Sequence, residues 1–315
     1  AWSSTDFGFF TGGYSFLNVF FLMLIWGGLI LDRFGIRFTG KLATILMVGG
    51  TALEYYAMTG LAGADATLFG INEIFGYKTG VFVAFAGYSI FGVGAEVAGI
   101  TVSKIIAKWF KGKELATATR VQVALARIGS QAGYAVAIPL ARAFGISTPV
   151  LLGLVLLLGG MIAFFIFAVM DKKLDKQMEA AAIAAGTEDE EEKFSFKDVK
   201  NILVNPGFWL IALLCVLFYS CVFPFQKFAS ELMIIKYGIN ENVAGTFAGL
   251  PALGALILTP VFGGFIDKRG KSASIMLLGS AMLICVHFIY AIPDINYWLV
   301  AIVLMIILGI AFSLV

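Results

Sequence analysis

The chain is poor in charged residues, which make up only 13% of its 315 residues, while hydrophobic residues make up 60%. A soluble domain of this size carries nearer a quarter charged residues. The mean hydropathy of +0.94 points the same way. This composition places the chain among membrane proteins before any motif is considered.

Residues that other protein classes need are also scarce. The net charge is only +2, which offers no clustered basic face for nucleic acid. The three cysteines, Cys215, Cys221 and Cys285, lie in apolar runs, where they suit lipid- or core-facing positions rather than a disulfide framework or a metal site. There is no phosphate-binding loop, metal-ligand cluster or catalytic triad. We therefore expect neither an enzyme nor a bound cofactor.

Both ends of the sequence are typical of positions inside a longer protein. It begins at Ala1 rather than at a Met, without a signal peptide. It ends within an apolar run, IILGIAFSLV. We expect an internal piece of a longer chain.

Long apolar runs dominate the sequence. A membrane-spanning helix needs about 20 apolar residues to cross ~30 Å of hydrocarbon. Nine runs reach or approach this length: 8–31, 40–62, 79–107, 116–141, 149–170, 207–230, 243–266, 273–292 and 297–315. The sixth is interrupted by Pro224. The fold class predicted is an all-α membrane protein with about nine transmembrane helices.

The basic residues are unevenly distributed between the two sets of loops. One set holds 17 of the 22 Lys and Arg residues, and the other set holds only Lys78, Arg142, Lys227 and Lys236. The last one, Arg127, falls inside a helix. Because cytoplasmic loops are rich in Lys and Arg, the first set is predicted to be cytoplasmic.

One long cytoplasmic connection divides the chain. It opens with a helix-forming stretch, DKKLDKQMEAAAIAAG, and continues with an acidic run, EDEEE, that we interpret as a solvated linker. The stretch FSFKDVKNILVNP then predicts an interfacial helix that ends at Pro206. We predict an N-terminal helix bundle over 1–170, a linker over 171–206 and a partial C-terminal bundle over 207–315.

A charged turn occurs twice, as WGGLILDRFGIRF at residues 26–38 and FGGFIDKRGK at residues 262–271. The residues of interest are Gly28, Asp32, Arg33, Gly35 and Arg37 in the first copy and Gly263, Asp267, Lys268 and Gly270 in the second. Two homologous halves of six helices each explain the repeat, with the chain covering helices 2 to 10.

Two parallel halves around a long cytoplasmic loop are the plan of the major facilitator superfamily. GLILDRFGIR closely resembles that superfamily's helix 2–3 motif, and the second copy resembles its weaker counterpart. The resemblance implies a transporter. We expect Gly28 and Gly263 to let helices approach, and Asp32 and Arg33 to pair across the interface between halves in one transport state. The alternative is that the turn only marks a helix end.

Longer stretches resemble one branch of this superfamily, dipeptide carriers that are lysosomal in animals, and their microbial relatives. They include WFKGKELATATRVQVALARIGSQAG, FGVGAE and VFPFQKFASELMIIKYGINENVAG. The branch implies a lysosomal membrane for an animal protein and the plasma (inner) membrane for a microbial one. The sequence departs from the branch before Asn18, where Phe16 and Leu17 replace a Trp-Pro pair. The shape of this helix is therefore left open.

Four ionisable residues fall deep within apolar runs: Glu54, Glu96, Arg127 and His287. A charge at the bilayer centre costs at least ~2.5–3.5 kcal/mol, so each needs a partner or a cavity. Glu96 precedes Trp109 by 13 residues, and Arg127 follows Leu115 by 12. At 1.5 Å per residue, both lie roughly 18–20 Å from the same membrane face.

An anion and a cation at one depth predict a site for a zwitterion. Glu96 would bind an ammonium, and Arg127 would bind a carboxylate through a bidentate fork. The resemblance implies the same division of roles. The other candidate substrate-binding residues are Asn18, Gln131, Tyr134 and Tyr219. The alternative is a structural ion pair without a ligand.

Four residues carry hypotheses on proton coupling, packing or gating. Glu54 and Glu96 are the candidates for proton coupling, and a hydrogen-bonded packing role is favoured for His287. Pro224 removes a backbone hydrogen bond, which suits either an extracellular gate or a static kink.

The function predicted is a secondary active or facilitative transporter that works by alternating access on a small zwitterion, such as a dipeptide or amino acid. One alternative is a proton-coupled organic-anion transporter in which Arg127 holds the anion and Glu96 carries the proton. The other is a non-transporting receptor or scaffold. The partners expected are the lipid bilayer and a small polar solute, and not nucleic acid. An accessory subunit is left open.

Overall fold

The computed structural model describes residues 2–61, 63, 67–110, 114–185, 203–269 and 272–314. These residues form ten helices: α1 (Ser4–Phe20), α2 (Met23–Thr59), α3 (Thr79–Trp109), α4 (Leu115–Phe144), α5 (Thr148–Ala185), α6 (Pro206–Ile235), α7 (Glu241–Ala248), α8 (Leu250–Arg269), α9 (Ser272–Ala291) and α10 (Trp298–Leu314). The short strands β1 (Glu73–Ile74) and β2 (Tyr77–Lys78) form an antiparallel hairpin between α2 and α3. The predicted all-helical fold is confirmed.

The first predicted span is a broken helix. The axes of α1 and α2 differ by 58° across Phe21 and Leu22, and Leu22 adopts a left-handed φ of 52°. A second change of direction occurs inside α2 at Gly35, where φ is 75° and ψ is 173°. Glycine adopts such a backbone without a steric penalty. Gly35 is therefore the turn between the first two predicted transmembrane helices.

Five segments are long and apolar enough to cross a membrane: Thr79–Trp109, Thr148–Gln177, Pro206–Ile235, Glu241–Thr259 and Ala273–Ala291. The bent pair α1 and α2 gives a sixth if it counts as one span, and α10 is a shorter apolar helix. The 30-residue α4 is long enough to cross a membrane, but it is more polar than these five segments. The chain is thus a multi-pass membrane protein whose helices follow the nine predicted runs.

The chain forms two compact units. The first contains Ala1–Leu115 and Ser147–Phe194, and the second contains Ala116–Ile146 and Ser195–Val315. The helix α4 therefore groups with the second unit by its contacts, although the predicted N-terminal bundle over 1–170 includes it. The predicted division into two bundles and a linker remains a prediction.

In the first unit, α3 packs against α1 and α2, and α5 packs against α2. The crossing of α2 and α3 is a backbone contact. A Cβ atom on Gly50 would lie 2.5 Å from the carbonyl oxygen of Gly87, and one on Gly87 would lie 2.7 Å from that of Gly50. Glycine at both positions is what allows this approach, which small residues favour in membranes.

In the second unit, α10 packs against α8 and α9. Its buried side chains include Met305 and Leu308, which join Met233 and Val286 in one apolar core. The helix α6 is continuous from Pro206 to Ile235, so the interruption predicted at Pro224 is wrong. A proline removes one backbone hydrogen bond, and membrane helices tolerate that loss where their surroundings compensate.

The helix-forming stretch predicted at the start of the linker is confirmed, because α5 continues to Ala185. The acidic run at 188–192 lies outside the described residues. So does most of the predicted interfacial helix, up to residue 202.

Candidate functional site

Glu96 is held by a tyrosine from the neighbouring helix. The hydroxyl of Tyr14 on α1 donates to Oε1 of Glu96 on α3 across 2.9 Å. One turn before Glu96, a Cβ atom on Gly92 would lie only 2.1 Å from the carbonyl oxygen of Tyr14. The bare backbone at Gly92 therefore lets α1 come close enough for this hydrogen bond.

Asn18 lies one turn after Tyr14 on the same helix. Its Nδ2 donates to the carbonyl of Tyr14 across 3.3 Å. Its Oδ1 is buried and accepts no hydrogen bond from the described residues. α1 and α3 run in the same direction, because the Phe10 ring stacks on Tyr88 and, four residues later on each helix, Tyr14 lies against Gly92. Asn18 and Glu96 therefore lie within about one helical turn, ~5.4 Å, along the helix axis.

Aromatic rings lie where α1 and α3 meet. The Tyr14 ring centroid lies 5.6 Å from that of Tyr88 and 6.2 Å from that of Phe91, and Tyr88 stacks on Phe91 at 5.8 Å. Tyr14 was not among the substrate-binding residues predicted from the sequence. Its spacing of four residues from Asn18, on one face of a helix, was the available signal.

Three predicted site residues lie on α4 in the second unit. Nε2 of Gln131 donates to the carbonyl of Thr246 across 3.3 Å, and the hydroxyl of Tyr134 donates to the carbonyl of Gln226 across 3.4 Å. Oε1 of Gln131 is buried and has no partner among the described residues. Gln131 and Tyr134 thus contact α7 and α6.

Arg127 is exposed on the surface of its unit. Its guanidinium makes no ion pair or hydrogen bond within the described part of that unit. Glu96 belongs to the first unit, so the predicted pairing of the two charges through one ligand remains a prediction.

Tyr219 and Pro224 lie on α6 in the second unit. The Tyr219 side chain is half exposed and stacks on Phe223, with ring centroids 5.1 Å apart. Pro224 directly follows Phe223 within the continuous helix. Their proposed roles in substrate binding and gating stay predictions.

The first copy of the duplicated turn makes its contacts within its own unit. Asp32 pairs with Lys104 of α3 across 2.9 Å, and the Arg33 guanidinium lies 5.6 Å from the centre of the Phe34 ring. The pairing of Asp32 and Arg33 expected across an interface between halves in one transport state stays a prediction. A Cβ atom on Gly27 would lie 2.6 Å from Cγ2 of Val97 on α3, whereas one on Gly28 would meet no described residue within 4 Å. The close helix approach expected at Gly28 stays a prediction.

Arg37, from the same turn, reaches the second half of α5. It donates to Asp171 across 3.2 Å and to Asp175 across 2.5 Å. Asp171 is fully buried and also accepts from Lys108 at 2.8 Å and from the Trp109 indole at 2.9 Å. Lys108 pairs with Asp175 as well. Sequence reasoning placed both carboxylates in a linker, although their spacing of four residues puts them on one helical face.

The second copy of the turn is only partly described. Gly263, Asp267 and Lys268 lie in the last turns of α8, and their side chains are outside the described structure. Gly270 lies outside the described residues altogether.

Glu54 and His287 lie outside the cluster around Asp171. Glu54 is 7% exposed, next to the crossing of Gly50 and Gly87, and its Oε1 has no partner among the described residues. Nδ1 of His287 donates to the carbonyl of Leu283 across 2.9 Å, and its ring packs edge-on against Phe225 at 5.0 Å. This is the hydrogen-bonded packing position that the sequence favoured for His287.

Comparison with known proteins gives a consistent result. The family model described as Major Facilitator Superfamily matches residues 1–315. The lysosomal dipeptide transporter MFSD1 of Gallus gallus is 31% identical over 241 residues, which cover 72% of this chain and 51% of the relative. The human protein of the same name is 27% identical over 326 residues, 99% of this chain and 63% of the relative. The chain thus spans between about half and 63% of the length of these relatives.

Solved structures with the same fold are sugar transporters. The partially occluded inward-open xylose transporter XylE from E. coli matches with a TM-score of 0.66 and 15% identity, over 99% of this chain and 73% of that one. A D-xylose–proton symporter matches with a TM-score of 0.60 and 16% identity, over 98% and 70%. At these identities the likeness concerns the fold alone.

Proposed function

Because the chain belongs to the Major Facilitator Superfamily, we propose that it forms the helical body of a secondary active or facilitative transporter for a small zwitterion, such as a dipeptide or an amino acid. Such a protein works by alternating access, in which the helical halves open in turn to each side of the membrane. The dipeptide transporters among its relatives support this substrate class.

The observation that carries the proposal is the state of Glu96. Its described partner is the neutral hydroxyl of Tyr14, and no basic side chain in the described part of the first unit pairs with it. Arg127 similarly has no acidic partner within the described part of its own unit. Charges inside apolar helices are costly, and such residues mark substrate pathways when they are kept. Glu96 suits the ammonium of the ligand, and Arg127 suits its carboxylate.

A binding experiment with blocked ligands tests this assignment. The thermal stability of the purified protein is measured with a dipeptide, its N-acetyl derivative and its C-terminal amide. We expect the free dipeptide to raise the melting temperature most, and each blocked ligand to raise it less. Equal stabilisation by all three ligands would overturn the zwitterion assignment, and stabilisation by simple organic acids would favour the organic-anion alternative.

Proton coupling is a second candidate, favoured by one buried carboxyl group. Glu54 lies between tightly packed helices, and Oε1 has no described hydrogen-bond partner. A carboxyl group that gains and loses a proton during transport fits such a position. Uptake by proteoliposomes should then rise with an inwardly directed proton gradient in the parent protein and lose that dependence in Glu54→Gln. Gradient-independent uptake by the parent protein would identify a facilitative carrier.

A further inference from the structure

Among the described residues of the first unit, one of the two carboxylate oxygens of Glu96 has a hydrogen-bond donor. The hydroxyl of Tyr14 donates to Oε1, while no described residue of the first unit donates to Oε2. Charge-assisted hydrogen bonds of this kind are short and directional, so they fix the orientation of the carboxylate. The second oxygen is left to accept from something else.

The support for Tyr14 is built into the backbone. A Cβ atom on Gly13 would lie 2.7 Å from the carbonyl oxygen of Phe85, and one on Gly92 would lie 2.1 Å from that of Tyr14. These two contacts place α1 close against α3 at Gly13 and at Tyr14 itself. The hydroxyl is thus fixed in place.

A second unused acceptor lies nearby. Oδ1 of Asn18 is buried without a described donor, although Nδ2 of the same amide is occupied by the carbonyl of Tyr14. An unpaired buried acceptor is unfavourable unless a ligand or water satisfies it. The ring faces of Tyr14, Tyr88 and Phe91 add a surface that attracts cations.

We propose that Tyr14 is a positioning residue that orients Glu96, and that Oε2 of Glu96 and Oδ1 of Asn18 together accept two hydrogen bonds from a ligand ammonium. This inference rests on the proposed function and specifies how the amino group of the ligand is bound. The site takes primary and secondary ammonium groups, which carry at least two N–H donors. It rejects N-acylated ligands, which lack the charge. It also rejects quaternary ammonium ligands, which keep the charge but have no donor.

The test uses the purified protein and three probes: alanyl-alanine, its N-acetyl derivative and its N,N,N-trimethyl derivative. Dissociation constants are measured for the parent, Tyr14→Phe and Asn18→Leu. The control is Tyr56→Phe, which removes a hydroxyl from a half-exposed position on α2. We expect Tyr14→Phe and Asn18→Leu to weaken binding of alanyl-alanine by about tenfold or more. Their residual binding of the acetylated probe should match that of the parent, and Tyr56→Phe should bind all three probes like the parent.

A purely structural role for Tyr14 gives a different pattern. Affinity for all probes would then fall together, along with the melting temperature of the ligand-free protein, and this result would overturn the inference. Asn18→Asp, which keeps the acceptor oxygen, should retain binding of alanyl-alanine if Asn18→Leu loses it. If both Asn18 variants lose binding of alanyl-alanine, Asn18 does not act as the acceptor for the ligand ammonium.

Glu96→Gln separates this inference from the proposed function. If Glu96→Gln selectively loses alanyl-alanine while Tyr14→Phe binds it within about twofold of the parent, only the role of Tyr14 is overturned. If Glu96→Gln itself binds all three probes like the parent, the proposed function fails as well. Strong binding of the trimethyl probe by the parent would show that charge alone, without N–H donors, is recognised.

Discussion

Arg37 and Asp171 are 134 positions apart in the chain, and the guanidinium of one donates to the carboxylate of the other across 3.2 Å. Asp171 is fully buried and is also held by Lys108 and Trp109. The first copy of the repeated turn is therefore joined to the second half of α5 by a network of charges within one unit. This network holds the turn in place. The turn therefore has a structural role in addition to its proposed role in gating.

Neutralising Asp171 should destabilise the protein. Asp171→Asn keeps the shape of the side chain but leaves Arg37 and Lys108 short of a counter-charge. Breaking a fully buried pair costs roughly 3–5 kcal/mol, and the 40% exposure of Arg37 reduces this to about 1–3 kcal/mol. Thermal unfolding in detergent measures the change. The control is Asp175→Asn, which changes a 39% exposed side chain and should lower the melting temperature less. An equal fall in melting temperature in both variants would contradict the anchoring role of Asp171.

Changing Asp32 should affect transport more than stability. Its ion pair with Lys104 is about half exposed on both sides, and such pairs contribute only about 0–1 kcal/mol. We expect Asp32→Asn to slow the transport cycle in proteoliposomes and to keep ligand affinity within about threefold. Its partner Lys104 lies eight residues, ~12 Å, from Glu96 along α3, too far for direct contact with a ligand group bound there. Lys104→Gln should behave alike. Uptake at the parental rate in both variants would count against a gating role.

The two glycines of the first turn should respond differently to substitution. Gly35 has a left-handed φ of 75°, so Gly35→Ala should lower the free energy of unfolding by about 1–2 kcal/mol. Gly28 is helical with open space at its Cβ position, so Gly28→Ala should be neutral or stabilising by up to about 1 kcal/mol. Comparison of their melting temperatures checks this. A greater loss of stability in Gly28→Ala than in Gly35→Ala would show that the Gly28 side of the helix is closely packed in the membrane.

Adding a methyl group at Gly92 should disturb both stability and ligand binding. The new Cβ would collide with the carbonyl of Tyr14 and push α1 from α3, at a cost of about 1–3 kcal/mol. Gly99→Ala, on the same helix and in open space, is the matched control. Melting temperature and dipeptide affinity are measured for both variants. If Gly92→Ala binds the dipeptide like Gly99→Ala, the packing of α1 on α3 does not shape the site.

The helices themselves could be predicted because their signals are local. The run predicted at 79–107 is Thr79–Trp109 in the structure, since the length of an apolar stretch directly reflects the thickness of the bilayer. The turn at Gly35 also follows from local chemistry, because glycine alone adopts its backbone without strain. The break at Phe21 and Leu22 has no such signal, because neither residue is a glycine or a proline.

Contacts between distant residues could not be predicted in the same way. Tyr14 meets Glu96 from 82 positions away, and the two are matched only by the packing of α1 on α3. Asp171 looked like the first residue of a linker because hydropathy falls there, yet α5 continues as a helix and carries it into a basic cluster. The charges themselves were visible in the sequence, and their partners were not.

We propose that Glu96 and Arg127 bind opposite ends of one zwitterionic ligand. Counterflow measures it most directly: proteoliposomes are loaded with unlabelled dipeptide, and uptake of labelled dipeptide is followed for the parent, Glu96→Gln and Arg127→Ala. We expect counterflow in the parent, its loss in both variants, and little competition by N-acetylated or amidated dipeptides. Counterflow at the parental rate in both variants, or equal competition by the blocked dipeptides, would contradict the claim.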